Sequence, residues 1–158
     1  MTTGRLLLAA ALVLGLAALL LHVERRSAPA VRAVLADPVR TPGVLNPDVT
    51  QATIAATICT RGWTATVRPP AEYTNALKLE QMRAYGETGP PSGYQEDHLI
   101  SLELGGDPRD PRNLWPEPYP RAAAVDQIEN QLNAAVCSHT LSLHDAQERE
   151  SELKHTHG

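Results

Sequence analysis

The chain has 158 residues, 42% hydrophobic and 20% charged, with 14 basic against 18 acidic side chains. That length holds one ordinary domain plus extras, and the composition is globular, not disordered or collagen-like. Phe is absent and there are only four Tyr and two Trp, so the core must be aliphatic and aromatic stacking platforms for single-stranded nucleic acid are disfavoured.

Residues 1–30 read as a targeting segment. Arg5 precedes an apolar run from Leu6 to Leu21, Arg25 and Arg26 follow it, and Ala28-Pro29-Ala30 offers a small-x-small cleavage site. The pattern predicts export, either by a cleaved signal peptide or with the run kept as a membrane anchor. Its 16 residues are short for a span, which wants roughly 20. Either way the rest of the chain faces outside the cytoplasm. Without residues 1–30 it keeps 11 basic and 17 acidic side chains, net −6, so any contact with a polyanion must be local or metal-mediated.

Residues 31–45 are Pro- and Ala-rich and predict a linker, with one domain over 46–154. Ile54 and Ile58, four apart behind Asp48, predict a short helix over 48–59. Trp63-Thr-Ala-Thr-Val67 alternates like a strand and stops at Arg68-Pro69-Pro70. Residues 74–85 predict a helix, 86–93 a loop, 98–104 an apolar strand closed by Gly105-Gly106, and 113–115 a second short strand. Val125, Ile128, Leu132 and Val136 mark the inner face of a helix over 122–136, and 141–154 a charged helix. His155 and His157 read as a frayed tail. Cys59 and Cys137 are the two cysteines; in an oxidising compartment an even pair is most simply a disulfide, the alternative being two unlinked buried thiols.

One segment carries chemistry. Asp97-His98 is followed by Gly105-Gly106, by Asn113 and then by a helix, an order that resembles the HNH, or ββα-metal, nucleases. The stretch DHLISLELGGDPRDPRNLWPEP is similar, more narrowly, to small exported bacterial HNH-like proteins, and the similarity runs over residues 46–147. The resemblance implies an α+β fold with a ββα-metal core and flanking helices, and a metal-dependent endonuclease hydrolysing phosphodiester bonds of DNA, with RNA left open. His98 would be the base that deprotonates water. Asn113 would hold the His98 backbone or ring, since a side-chain amide donates and accepts at once. Asp97 would be a hard oxygen ligand for Mg²⁺ or Mn²⁺.

The sequence departs from the family where a final histidine is expected: that position is Ala122. The following helix offers Asp126 and Glu129 as metal ligands, with Glu117 a third choice. Arg109, Arg112 and Arg121 flank the segment and are suited to gripping phosphates. Each of these residues also has a plain structural reading, His98 as a strand cap and Asp126 and Glu129 as a solvated helix face. The missing histidine and the acidic balance motivate a second hypothesis, a non-catalytic exported binding or structural module on the same scaffold.

Overall fold

The computed structural model of the chain describes residues 35–157; the targeting segment, signal peptide or anchor, lies outside them. Among the described residues no helix is long and apolar enough to cross a membrane. The fold is α+β, with helices α1 (Trp63–Val67), α2 (Ala71–Tyr85), α3 (Tyr119–Cys137) and α4 (Leu143–Thr156) around a two-stranded antiparallel sheet of β1 (Tyr94–His98) and β2 (Leu114–Pro118).

Residues 36–45 are not a free linker. Ala36 and Thr41 are buried, the Ala36 amide donates to the Lys154 carbonyl, and Leu45 forms a bridge with Gly106. The domain therefore begins some ten residues before composition alone places it. Over 48–59 the predicted helix is reduced to a single turn, Ile54–Ala56. Ile54 and Ile58 do point inward, but the threonines compete for the backbone: Thr53 Oγ1 donates to the Asp48 carbonyl, and Thr57 Oγ1 to that of Thr53, both at 2.8 Å. The stretch predicted as a strand at Trp63 is α1. A strand needs a partner and none runs beside it, whereas a short helix lets Trp63 pack on the core of Ile54, Ile58, Leu104 and Val136. It ends as expected, with Arg68 extended before Pro69.

The two strands pair in the register Tyr94↔Pro118, Glu96↔Pro116, His98↔Leu114. The first strand thus lies earlier than the apolar run predicts. Leu99, Ile100, Leu102 and Leu104 are all buried, yet they form an irregular turn through the core, ending in a 3₁₀ turn at Leu102–Leu104. Remote side chains replace the missing ladder. Asn113 Oδ1 accepts from the Ile100 amide at 2.9 Å, and its Nδ2 donates to the Ile100 carbonyl at 3.0 Å and the Asp107 carbonyl at 2.9 Å. Both oxygens of Glu150 accept from the Ser101 amide, each at 3.0 Å.

Gly106 sits inside this clamp. A Cβ there would lie 1.8 Å from the Ile100 carbonyl oxygen and 2.6 Å from Asn113 Nδ2. Backbone cannot give way by that much, so Gly106→Ala is expected to cost about 3 kcal/mol in urea unfolding. A variant as stable as the parent would show that the clamp is not closed.

α3 follows β2 directly, with Pro120 in its first turn, where no amide partner is needed. Its buried line is Ala122, Val125, Glu129 and Val136, so Glu129 replaces the predicted Ile128, which is exposed. Cys137 closes the helix through the Cys59–Cys137 disulfide. α4 is capped by Ser142, whose hydroxyl accepts from the Asp145 amide. It runs through the tail predicted to fray: the His155 ring meets the Thr41 carbonyl at 2.9 Å.

Candidate active-site cleft

His98 is the last residue of β1 and is 6% exposed. Its Nε2 lies 3.2 Å from the Pro108 carbonyl oxygen. A carbonyl only accepts, so Nε2 carries the ring proton and Nδ1 is left with its lone pair. Burial lowers the imidazole pKa, with the Asp97 charge opposing. The ring is therefore neutral at pH 7, the state required of a general base.

His98 opens onto a cleft of about 320 Å³, lined also by Arg68, Glu96, Glu103, Asp126 and Glu129. Strand alternation puts Glu96 and His98 on one face of β1 and Asp97 on the other, but Asp97 lies at the strand end and borders the cleft too. The cleft thus brings His98, Asp97, Asp126 and Glu129 together, as the sequence predicts. Burial pushes the Glu96 carboxyl up to about 8, and both of its oxygens are buried without a partner.

The other predicted residues lie elsewhere. Asn113 is fully buried and grips Ile100 and Asp107, not the His98 ring or backbone. Arg109 stacks over Tyr73, and Arg112 pairs with Asp110 in its own turn. Arg121 binds Glu117 and the carbonyls of Leu153 and His157 and covers Trp115. None of these arginines, nor Glu117, lines the cleft. The guanidinium that does so is Arg68, legible in the sequence only as part of a Pro-Pro stop signal.

Sequence reasoning also missed the charge centre beneath the cleft. Lys154 is fully buried. Its ammonium donates to Asp97 Oδ2 at 2.9 Å, to Glu129 Oε1 at 2.6 Å and to the His98 carbonyl, and lies 3.3 Å from Glu150 Oε1. Burial works against this ammonium, yet Asp97, Glu150 and Glu129 together hold its pKa well above the ordinary lysine value. Burial likewise raises the Asp97 carboxyl, but Lys154 outweighs it and the net shift is downward.

The resemblance calls for a divalent metal between Asp97 and a carboxylate of the helix. In this chain the cation between Asp97 and Glu129 is an ammonium. Among the described residues no three His, Cys, Asp or Glu side chains are disposed to hold a metal ion. The residues do not fit a divalent ion at that point.

These carboxyls make stability depend on pH. Burial raises Glu96, Glu117 and Glu150 to about 8 from the ordinary 4.5. The folded chain keeps their protons where the unfolded chain has lost them, so their contribution is complete below pH 4.5 and is lost as pH rises toward 8. His98, lowered from 6.5, works the other way, as one group against three. Asp97, lowered from 3.8, costs stability only in stronger acid. Stability to thermal unfolding is expected to be highest at about pH 4.5 and to weaken toward pH 8, by at most about 1.4 kcal/mol per pH unit for each group. A rise in stability over that interval would contradict the buried, protonated carboxyls.

No protein-family model, curated protein or solved structure matches the chain.

Proposed function

We propose that the chain is an exported hydrolase of the HNH-like, ββα type that cleaves phosphodiester bonds, DNA first and RNA second, with His98 as general base. The observation that carries this reading is the place of His98: it lines the cleft, with its Nε2 within 3.2 Å of the Pro108 carbonyl oxygen. The order β1, β2, α3 supports the ββα plan, and the Cys59–Cys137 bond supports an oxidising, exported setting.

The reaction needs a second proton carrier. Glu96 stands two residues before His98 on the same strand face, roughly 7 Å along the chain, and keeps its proton to about 8. Water attacks phosphorus as His98 Nδ1 takes its proton; the new P–O bond forms, the bond to the leaving oxygen breaks, and Glu96 gives that oxygen its proton. Two groups with pKa values pushed apart on one face divide the acid and base roles. Arg68 supplies the local positive charge for a phosphate.

The test uses the oxidised full chain with supercoiled plasmid or RNA, in Mg²⁺, in Mn²⁺ and in EDTA, beside His98→Ala. Cleavage is expected, and His98→Ala should lose about 10²–10⁴ of it while keeping its fold by circular dichroism. A second reading, a non-catalytic binding module, is favoured by one observation: five acidic side chains and a single arginine line the cleft. Folded protein that cleaves neither nucleic acid in any of the three solutions would establish that reading instead.

A further inference from the structure

We propose that Lys154 is the resident cation of this site: its ammonium takes the place between Asp97 and Glu129 where the ββα resemblance implies a divalent metal, and it positions His98 through that residue's carbonyl oxygen. The inference deepens the reading above and rests on it for the role of His98.

The geometry is that of a filled site. Four oxygens surround Nζ, from Asp97, Glu129, Glu150 and the His98 carbonyl. They come from three separate elements, β1, α3 and α4. Carboxylate and carbonyl oxygens converging from several elements are the donor set a hard divalent ion takes, at about 2.0–2.6 Å. Here the separations from the carboxylates are 2.6, 2.9 and 3.3 Å, those of N–H···O contacts. An ammonium has three hydrogens to give, so four oxygens leave it saturated. A divalent ion drawn to the same carboxylates would lie within a few ångströms of that fixed positive charge, with Lys154 wholly excluded from water and unable to swing aside.

The lysine is itself anchored. Its backbone carbonyl accepts from the Ala36 amide at 3.2 Å, and its neighbour one turn back, Glu150, holds the Ser101 amide. α4 thereby carries a tethered cation to the end of β1, fixing Asp97 and the backbone of His98 in one step. Lys154 does not border the cleft, so it acts as a positioning residue and touches no substrate.

The test reads ion binding and the His98 ring, not cleavage. The oxidised full chain is titrated with Mn²⁺, followed by electron paramagnetic resonance and by thermal unfolding, beside Lys154→Met and the double variant Lys154→Met/Asp97→Asn. The parent is expected to show no saturable Mn²⁺ site at millimolar ion and no change in melting temperature against EDTA. Lys154→Met is expected to gain one Mn²⁺ per chain with a rise in melting temperature, and the added Asp97→Asn to remove both. In Lys154→Met the His98 ring proton resonance should shift, and Mg²⁺ should bring it back toward its position in the parent, a rescue that a purely structural lysine does not predict. A Lys154→Met chain that folds only when Mn²⁺ is present supports the proposal; one that gains no Mn²⁺ site, folded or not, overturns it. So does a parent chain that binds one Mn²⁺ and loses it in Asp97→Asn or Glu129→Gln. Failure of the chain to cleave nucleic acid alters none of these readings, so the fate of the hydrolase and that of the resident cation are decided separately.

Discussion

Replacing Lys154 with methionine is expected to lower the unfolding free energy by about 3–5 kcal/mol at pH 7. The side chain is wholly buried and methionine nearly fills its volume, so the cost is electrostatic and not one of a cavity. Asp97, Glu129 and Glu150 share the one ammonium; without it, the charged Asp97 is left out of water against the Glu129 and Glu150 carboxyls, the latter already holding its proton. That charge can escape only by taking a proton, which gives the loss a signature: it should shrink as the solution is acidified to about pH 4.5, where neutral carboxyls cost little to bury. Glu150→Gln is the control. That carboxyl is already pushed up to about 8 by burial, so it is largely protonated at pH 7. An amide oxygen can still accept from Ser101, and a loss of about 1 kcal/mol is expected. Urea unfolding of both variants at two pH values separates the cases. A Lys154→Met chain within about 1 kcal/mol of the parent at pH 7 would show that the cluster is not buried as a unit.

Removing the Cys59–Cys137 link should have an effect of the same size. The two residues are 78 apart in sequence, and opening a loop of that length returns about 4 kcal/mol of unfolded-state freedom in the chain-entropy view. The bond joins the turn after Ile54–Ala56 to the last residue of α3, and Cys59 packs on the Ile58, Leu104 and Val136 cluster. With no Phe in the sequence, that aliphatic cluster is modest, and a domain of this size has only about 5–15 kcal/mol in hand. The double Cys→Ser chain is therefore expected to melt about 15 °C or more below the oxidised parent. Reduction of the parent with dithiothreitol should give the same melting temperature. Equal stability of oxidised and reduced chains would mean that the bond does not form in solution.

Much of this fold was readable where apolar residues recur at helical spacing. α2 and α3 came out within three residues of expectation, α3 because Val125, Leu132 and Val136 announce it. What failed was of two kinds. Leu99, Ile100, Leu102 and Leu104 look like a strand because all are apolar, yet burial on every side also suits a turn threaded through a core, and only the distant Asn113 and Glu150 decide between the two. The inner line of α4, Leu143, Ala146, Gln147, Glu150 and Lys154, keeps the helix period but is polar at three of its five positions, so a search for apolar periodicity cannot find it. For the site, Asp97, His98, Asp126 and Glu129 border one cleft because the end of β1 and α3 lie side by side. The partners that set their charge, Lys154 and Arg68, were out of reach. One comes from 56 positions beyond His98, and the other stands behind a pair of prolines whose only local message is to stop.

The sulfur bridge has a topological meaning as well as an energetic one. The segment between Cys59 and Cys137 contains both strands, the clamp at Asn113, Arg68 and every residue named in the cleft; closed on itself, it is a covalent ring. Lys154, arriving from outside that ring, is its sole supplier of a buried ammonium among the described residues. A single backbone break in the exposed stretch at Thr88 or Pro90 therefore frees no fragment. The ring opens into a chain whose pieces stay joined, and the site is protected by its connectivity in addition to its packing.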